Sequence, residues 1–110
     1  MENGKLIIEI DEEMADLIPE YLEGREKDLT DLRAALEQGD YGQIARIGHS
    51  LKGSGGGYGF DLLSEIGAEL ENTARQTNKE SAPRWINYQL VLLADYLERI
   101  EVKYVEINDE

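Results

Sequence analysis

Apolar residues recur at steps of three and four along most of the chain, which is the spacing of amphipathic helices. Asp11 is a suitable N-cap for a first short helix, and Pro19 suits the first turn of a second, longer one. Gly39 then marks a helix end, and Asp40 is the cap of the next helix. The apolar stripe of this first region comprises Met14, Leu17, Ile18, Tyr21, Leu22, Leu29, Leu32 and Leu36. Before it, residues 5–10 (KLIIEI) form a short extended lead-in.

Three more helices follow from the same periodicity. One runs from about 41 into a glycine-rich segment, one from 60 or 61 to about 77–78, and the last from 79–83 to about 102. Their inward-facing residues are Ile44, Ile47 and Leu51, then Leu62, Leu63, Ile66, Leu70 and Ala74, then Trp85, Gln89, Leu92, Leu93, Tyr96 and Ile100.

Long amphipathic helices joined by short loops pack side by side in alternating directions. The pattern therefore predicts an all-α fold: an antiparallel up-down four-helix bundle with a short N-terminal lead-in helix. We expect a single domain over 1–110, with the bundle spanning roughly 12–103.

Composition excludes several classes of function. The chain has 24 acidic and 11 basic residues and a formal net charge of −13, which disfavours nucleic acids and anionic membranes as partners. It has no cysteine and one histidine, so disulfides and a structural zinc site are excluded. The sequence shows neither a membrane span nor the charge pattern of a signal peptide. We expect a soluble, cytoplasmic protein.

The acidic residues are unevenly distributed. Residues 41–60 contain none, and the charged residues there are Arg46 and Lys52. An acid-free segment around the only histidine suggests a surface that receives an anion. Chance in a short window is the alternative interpretation.

The histidine lies in the segment HSLKGSGGGYG, residues 49–59. On a helix, His49 points away from the inward-facing residues of its own segment and should be exposed. Lys52 and Gly53, at i+3 and i+4, share its face, and Ala45 and Gly56 extend that face in both directions.

An exposed imidazole beside an ammonium group suits phosphoryl chemistry. An unperturbed imidazole has a pKa of about 6.5, so its neutral form is an available nucleophile near neutral pH. The ammonium group can stabilise the negative oxygens of a phosphoryl group.

The glycines that follow the histidine also need a reason. Each glycine within a helix costs about 0.5–1 kcal/mol of stability, which implies close approach by a partner or by a neighbouring helix. The segment satisfies neither the P-loop pattern nor GxGxxG, so it does not match the usual nucleotide-binding loops. The alternative to phosphoryl chemistry is a plain surface histidine that precedes a flexible loop.

The segment resembles the HxLKGxxxxxG signature of histidine phosphotransfer (HPt) domains. The matching residues are His49, Leu51, Lys52, Gly53 and Gly59. The resemblance covers nearly the whole chain, because the family has a helical lead-in and four bundle helices with the motif on the second.

The resemblance implies a relay between the aspartates of receiver domains, in response regulators or hybrid sensor kinases. His49 would accept the phosphoryl group through Nε2, and Lys52 would hold its oxygens. Gly53 would leave room beside the ring, and Gly59 would permit a tight junction to the next helix. Glu71 matches the position from which the family orients the histidine through its other nitrogen.

The same resemblance implies a carrier and not an enzyme, with no cofactor of its own and with magnesium supplied by the receiver. The protein would be a monomer that carries phosphohistidine in a two-component phosphorelay. Ala45, Gly56, Tyr58 and exposed parts of the first long helix are candidates for the docking surface.

Two other hypotheses remain open. The first is a helical adaptor that binds a receiver or sensor kinase through the same face without being phosphorylated. The second is an enzyme that uses His49 and Glu71 as a general base, although the sequence shows no separate nucleophile.

Overall fold

The computed structural model describes residues 4–76 and 80–107. Four helices account for most of this part of the chain, and a strand lies at each end of it. In chain order the elements are β1 (Leu6–Asp11), a 3-10 turn (Glu12–Met14), α1 (Ile18–Gln38), α2 (Tyr41–Ser54), a second 3-10 turn (Gly56–Tyr58), α3 (Asp61–Arg75), α4 (Ala82–Arg99) and β2 (Ile100–Val105).

The predicted helix boundaries in the first half of the chain are confirmed. The Asp11 carboxylate accepts a hydrogen bond from a backbone N–H of the first 3-10 turn, and the Asp40 carboxylate does the same at the start of α2. Pro19 lies in the first turn of α1, where its missing N–H needs no partner. Gly39 ends α1 with a φ of 69°, a left-handed conformation that favours glycine.

The described chain is mostly helical, which agrees with the predicted all-α class, but it also contains a two-stranded sheet that was not predicted. The extended lead-in predicted at 5–10 is confirmed as the strand β1, which pairs in parallel with β2, so that Leu6 lies opposite Ile100 and Asp11 opposite Val105. The last helix ends at Arg99 and not near 102. Beyond it, IEVKYV alternates apolar and polar residues with a period of two at its start, which suits a strand. The lead-in helix is a single 3-10 turn.

The boundary between α3 and α4 is described only in part. The predicted end of α3 at about 77–78 falls outside the described residues, and the helix is described to Arg75. Helix α4 begins at Ala82, inside the predicted range. Within the described ranges, no helix has the length and apolar character needed to cross a membrane.

The core lies between the four helices, but three residues predicted to face it do not. Leu17, Leu62 and Trp85 are exposed. In α4 the buried face is centred one residue later than predicted, because Ile86 and Leu90 are in phase with Leu93 and Trp85 is not. The buried residues of α4 are Ala82, Ile86, Gln89, Leu90, Leu93 and Tyr96.

Helices α2 and α3 run antiparallel and approach each other closely at two glycines. A Cβ atom on Gly48 would lie 2.8 Å from the backbone nitrogen of Glu71 and 2.8 Å from the carbonyl oxygen of Gly67. A Cβ atom on Gly67 would lie 2.5 Å from the backbone nitrogen of Lys52. Real Cβ atoms do not come this close to backbone atoms, so only glycine permits the crossing.

We predict that Gly48→Ala lowers the free energy of unfolding by about 1–3 kcal/mol, because the methyl group must push α3 away. The control is Gly24→Ala in α1, where a Cβ meets no atom within 4 Å. There the substitution should raise stability by about 0.5–1 kcal/mol. Urea unfolding of both variants measures the difference, and equal stabilities would contradict the steric interpretation.

Candidate functional site

His49 lies on the solvent-facing side of α2. Its side chain is 69% exposed, whereas Ile47 and Leu51 on the same helix are buried. Lys52 lies one turn further along and is also largely exposed. A Cβ on Gly53 would meet no atom within 4 Å, so the space beside this turn is open. The structure therefore brings the ring, the ammonium group and an open surface together.

Glu71 of α3 reaches the histidine across the helix crossing. Its Oε2 lies 2.9 Å from Nδ1 of His49, and its side chain is only 13% exposed. A carboxylate can only accept a hydrogen bond, so Nδ1 is the nitrogen that carries the proton. In the neutral ring the lone pair is then on Nε2. The contact thus orients the ring and leaves Nε2 as the nitrogen with an available lone pair.

Two further cations contact the same carboxylate. Nζ of Lys52 lies 3.5 Å from Oε1 of Glu71. Nε and Nη2 of Arg75 each lie 3.2 Å from Oε2. Sequence reasoning did not identify Arg75, although its position four residues after Glu71 is the spacing of a helical ion pair.

The charge state of Glu71 reflects these neighbours. Burial alone would raise the pKa of its carboxyl group. The hydrogen bond and the charge of His49, together with Lys52 and Arg75, outweigh that effect and lower the pKa below its ordinary value. The carboxylate is therefore ionised at neutral pH and accepts all of these contacts.

Ser64 of α3 holds the end of α2 in place. Its hydroxyl group donates to the carbonyl oxygen of Lys52 at 3.0 Å and accepts from the backbone N–H of Gly56 at 2.8 Å. These bonds satisfy backbone groups at the C-terminus of α2, which otherwise lack helical partners. Ser64 was not identified from the sequence, because its role depends on how α3 packs against α2.

The predicted course of α2 into the glycine-rich segment is confirmed, but Gly56 lies beyond the helix end, in the second 3-10 turn, and does not extend the helical face of His49. Helix α2 ends at Ser54, and Gly59 follows a separate 3-10 turn with a φ of 96°. A Cβ on Gly59 would collide with the side chain of Ile10 in β1. Gly56 is exposed. The tight junction before α3 thus requires glycine at position 59 for both its backbone conformation and its close neighbour.

One candidate for the docking surface is placed differently from the prediction. Ala45 is buried, so its assignment to the exposed face is wrong. It lies one turn before Gly48, which is also buried and lies against α3. Tyr58 is partly buried and stacks on Tyr21 with ring centroids 4.0 Å apart.

Comparison with known protein families identifies the chain. The family model of the Hpt domain matches residues 16–103. The chain belongs to the Hpt domain family. Neither a curated protein nor a solved structure matches it significantly.

The Hpt match includes all four helices and the residues His49, Lys52, Glu71 and Arg75, but not β1. Membership indicates involvement in a phosphorelay, in which Hpt domains are phosphotransfer carriers and interact with receiver domains of two-component systems. In residues 4–76 and 80–107, no group of three or more acidic or histidine side chains could hold a metal ion.

We predict a pH-dependent contribution of Glu71 to stability. Folding lowers its pKa, so the ionised carboxylate stabilises the folded protein above about pH 4.5, and this contribution is lost as the pH falls through the lower pKa of the folded state. In urea unfolding, wild type should exceed Glu71→Gln in stability near neutral pH, and the difference should shrink on acidification.

Glu65→Gln, which changes an exposed glutamate of the same helix, is the control for the loss of one negative charge. A stability difference between wild type and Glu71→Gln that stays constant with pH would show that the charge of Glu71 does not contribute.

Proposed function

We propose that this Hpt domain relays a phosphoryl group between receiver-domain aspartates through Nε2 of His49. The observation that carries the proposal is the bond between Nδ1 and Glu71, on a ring that is 69% exposed. It leaves the nucleophilic nitrogen facing solvent, where a second protein can approach it.

The transfer of the phosphoryl group to His49 does not require the ring to lose a proton. The lone pair of Nε2 attacks phosphorus as the bond between phosphorus and the donor's aspartate oxygen breaks, and the aspartate departs as a carboxylate. The ring gains positive charge while Nδ1 keeps its proton. Glu71 is ionised and adjacent, so it stabilises that charge as it develops. The reverse reaction delivers the phosphoryl group to the next receiver.

Lys52 and Gly53 have supporting roles in the proposal. The ammonium group of Lys52 lies one turn from His49 and can bind phosphoryl oxygens. The open space at Gly53 admits the receiver's backbone. Together they shape the approach to Nε2, while Glu71 acts on the opposite nitrogen.

The carrier role brings further proposals. Magnesium belongs to the receiver's active site, and the Hpt domain supplies neither a metal nor an ATP site. We also propose that it acts as a cytoplasmic monomer in one domain over 1–110, with its four helices in up-and-down order. The antiparallel pair α2 and α3 supports that order.

We predict that phosphorylated receiver domains label the wild-type protein and that His49→Ala abolishes the label. Because the chain has one histidine, an acid-labile, alkali-stable label identifies the residue. The control is Ser50→Ala, which removes the neighbouring hydroxyl group and should leave labelling intact. Label on the His49→Ala protein would refute the assignment. A folded wild type that binds a receiver but takes no label would favour the adaptor function.

We predict that Gly53→Ala separates stability from transfer. The added methyl meets nothing within the domain, so stability should rise by about 0.5–1 kcal/mol. Transfer from a receiver should slow about tenfold or more, since small displacements of reacting groups have large effects on rate. Stopped-flow or quench measurements of transfer test this, and unchanged transfer would show that the receiver does not use the space at Gly53.

A further inference from the structure

The three partners of Glu71, the His49 ring and the cations Lys52 and Arg75, contact its two oxygens unequally. Oε2 accepts a hydrogen bond from Nδ1 of His49 at 2.9 Å and lies 3.2 Å from both Nε and Nη2 of Arg75. Oε1 faces Lys52 alone among these partners, at 3.5 Å. Arg75 therefore shares an oxygen with the histidine, and Lys52 does not.

The contact with Lys52 is the weaker one. Its N–O distance exceeds the usual range for a hydrogen bond of about 2.7–3.2 Å. The ammonium group is on a flexible side chain that is 54% exposed, so it is free to turn toward another anion. A phosphoryl group on Nε2 would carry up to two negative charges within reach of Lys52. The ammonium group of Lys52 would then leave the carboxylate of Glu71 and bind the phosphoryl oxygens.

The contact with Arg75 does not depend on that exchange. Arg75 and Glu71 are four residues apart on α3, so their geometry is set within one helix, whereas Lys52 and His49 both belong to α2. The planar guanidinium presents two N–H groups to one oxygen, which fixes its orientation more strongly than an ammonium group can. Arg75 is 60% exposed, and this contact persists when Lys52 moves.

We propose that Arg75 is a positioning residue, which keeps Glu71 on Nδ1 of His49 while Lys52 binds the phosphoryl group. The inference rests on the proposed function, since it assigns Lys52 to the phosphoryl oxygens. In the resting protein both Lys52 and Arg75 hold Glu71 in place. In the phosphorylated protein Arg75 alone holds it.

The test uses nitrogen-15 NMR of the single histidine at fixed pH near 8. The ring nitrogen shifts report which nitrogen carries the proton. Spectra are recorded for wild type, Arg75→Gln, Arg75→Lys, Lys52→Gln and the double variant Lys52→Gln/Arg75→Gln. Each protein except those lacking Lys52 is also phosphorylated with phosphoramidate, which transfers its phosphoryl group to imidazole and releases ammonia. Lys27→Gln, in an exposed ion pair with Asp31 on α1, is the control for the lost charge.

In the resting protein, either single loss of a cation should leave Nδ1 as the main protonated nitrogen, and the double loss should lower its share two- to fivefold. In the phosphorylated protein, Arg75→Gln alone should lower the protonated fraction of Nδ1 by the same factor, and Arg75→Lys should restore part of it. Lys27→Gln should match wild type in both states.

Two results would overturn the inference. One is a double variant with the same resting spectrum as wild type. The other is a rise in Nδ1 protonation in phosphorylated Arg75→Gln, which a purely electrostatic role would produce by removing a nearby positive charge. Failure of wild-type His49 to accept a phosphoryl group from phosphoramidate or from any receiver would instead refute the proposed function. The resting spectra would still decide whether Arg75 positions Glu71.

Discussion

The close crossing of α2 and α3 sets the distance over which Glu71 contacts His49 and Lys52. His49 and Lys52 project from one helix, and Glu71 and Arg75 from the other. A glutamate side chain reaches across only because Gly48 lets the two backbones come nearly into contact at that level. A methyl group there would separate the helices and lengthen the bond between Oε2 and Nδ1. The glycine is thus as much a part of the site as the residues that touch the ring.

The electrostatics of the site differ from those of the rest of the molecule. The chain carries a net charge of −13, yet around His49 one shielded carboxylate lies beneath three exposed nitrogen-bearing side chains. Such a surface can receive an anion without the repulsion that the remaining surface would impose. The carboxylate contacts Nδ1, so it can support positive charge on the ring from the side opposite Nε2.

Much of the fold and part of the site could be predicted from local sequence. Caps at Asp11 and Asp40, the break at Gly39 and the exposure of His49 depend on a few neighbouring residues and on helical periodicity. Ser64 was missed because its partners are backbone groups at the end of α2. Arg75 was missed because its partner Glu71, on the same helix, becomes part of the site only once α2 and α3 are packed. The end of α4 was misjudged because Ile100 and Val102 fit a helical stripe nearly as well as a strand, and only pairing with β1 decides between them.

The sheet has a consequence for the order of folding. β1 and β2 come from opposite ends of the described chain, and joining them closes a loop that contains all four helices. The entropic cost of such a closure is large for an unfolded chain, whereas each helix and each short connection can form from neighbouring residues. The strands become neighbours only when the helical bundle has already brought the two ends together. We therefore expect their pairing to be a late event, which completes the fold but does not nucleate it.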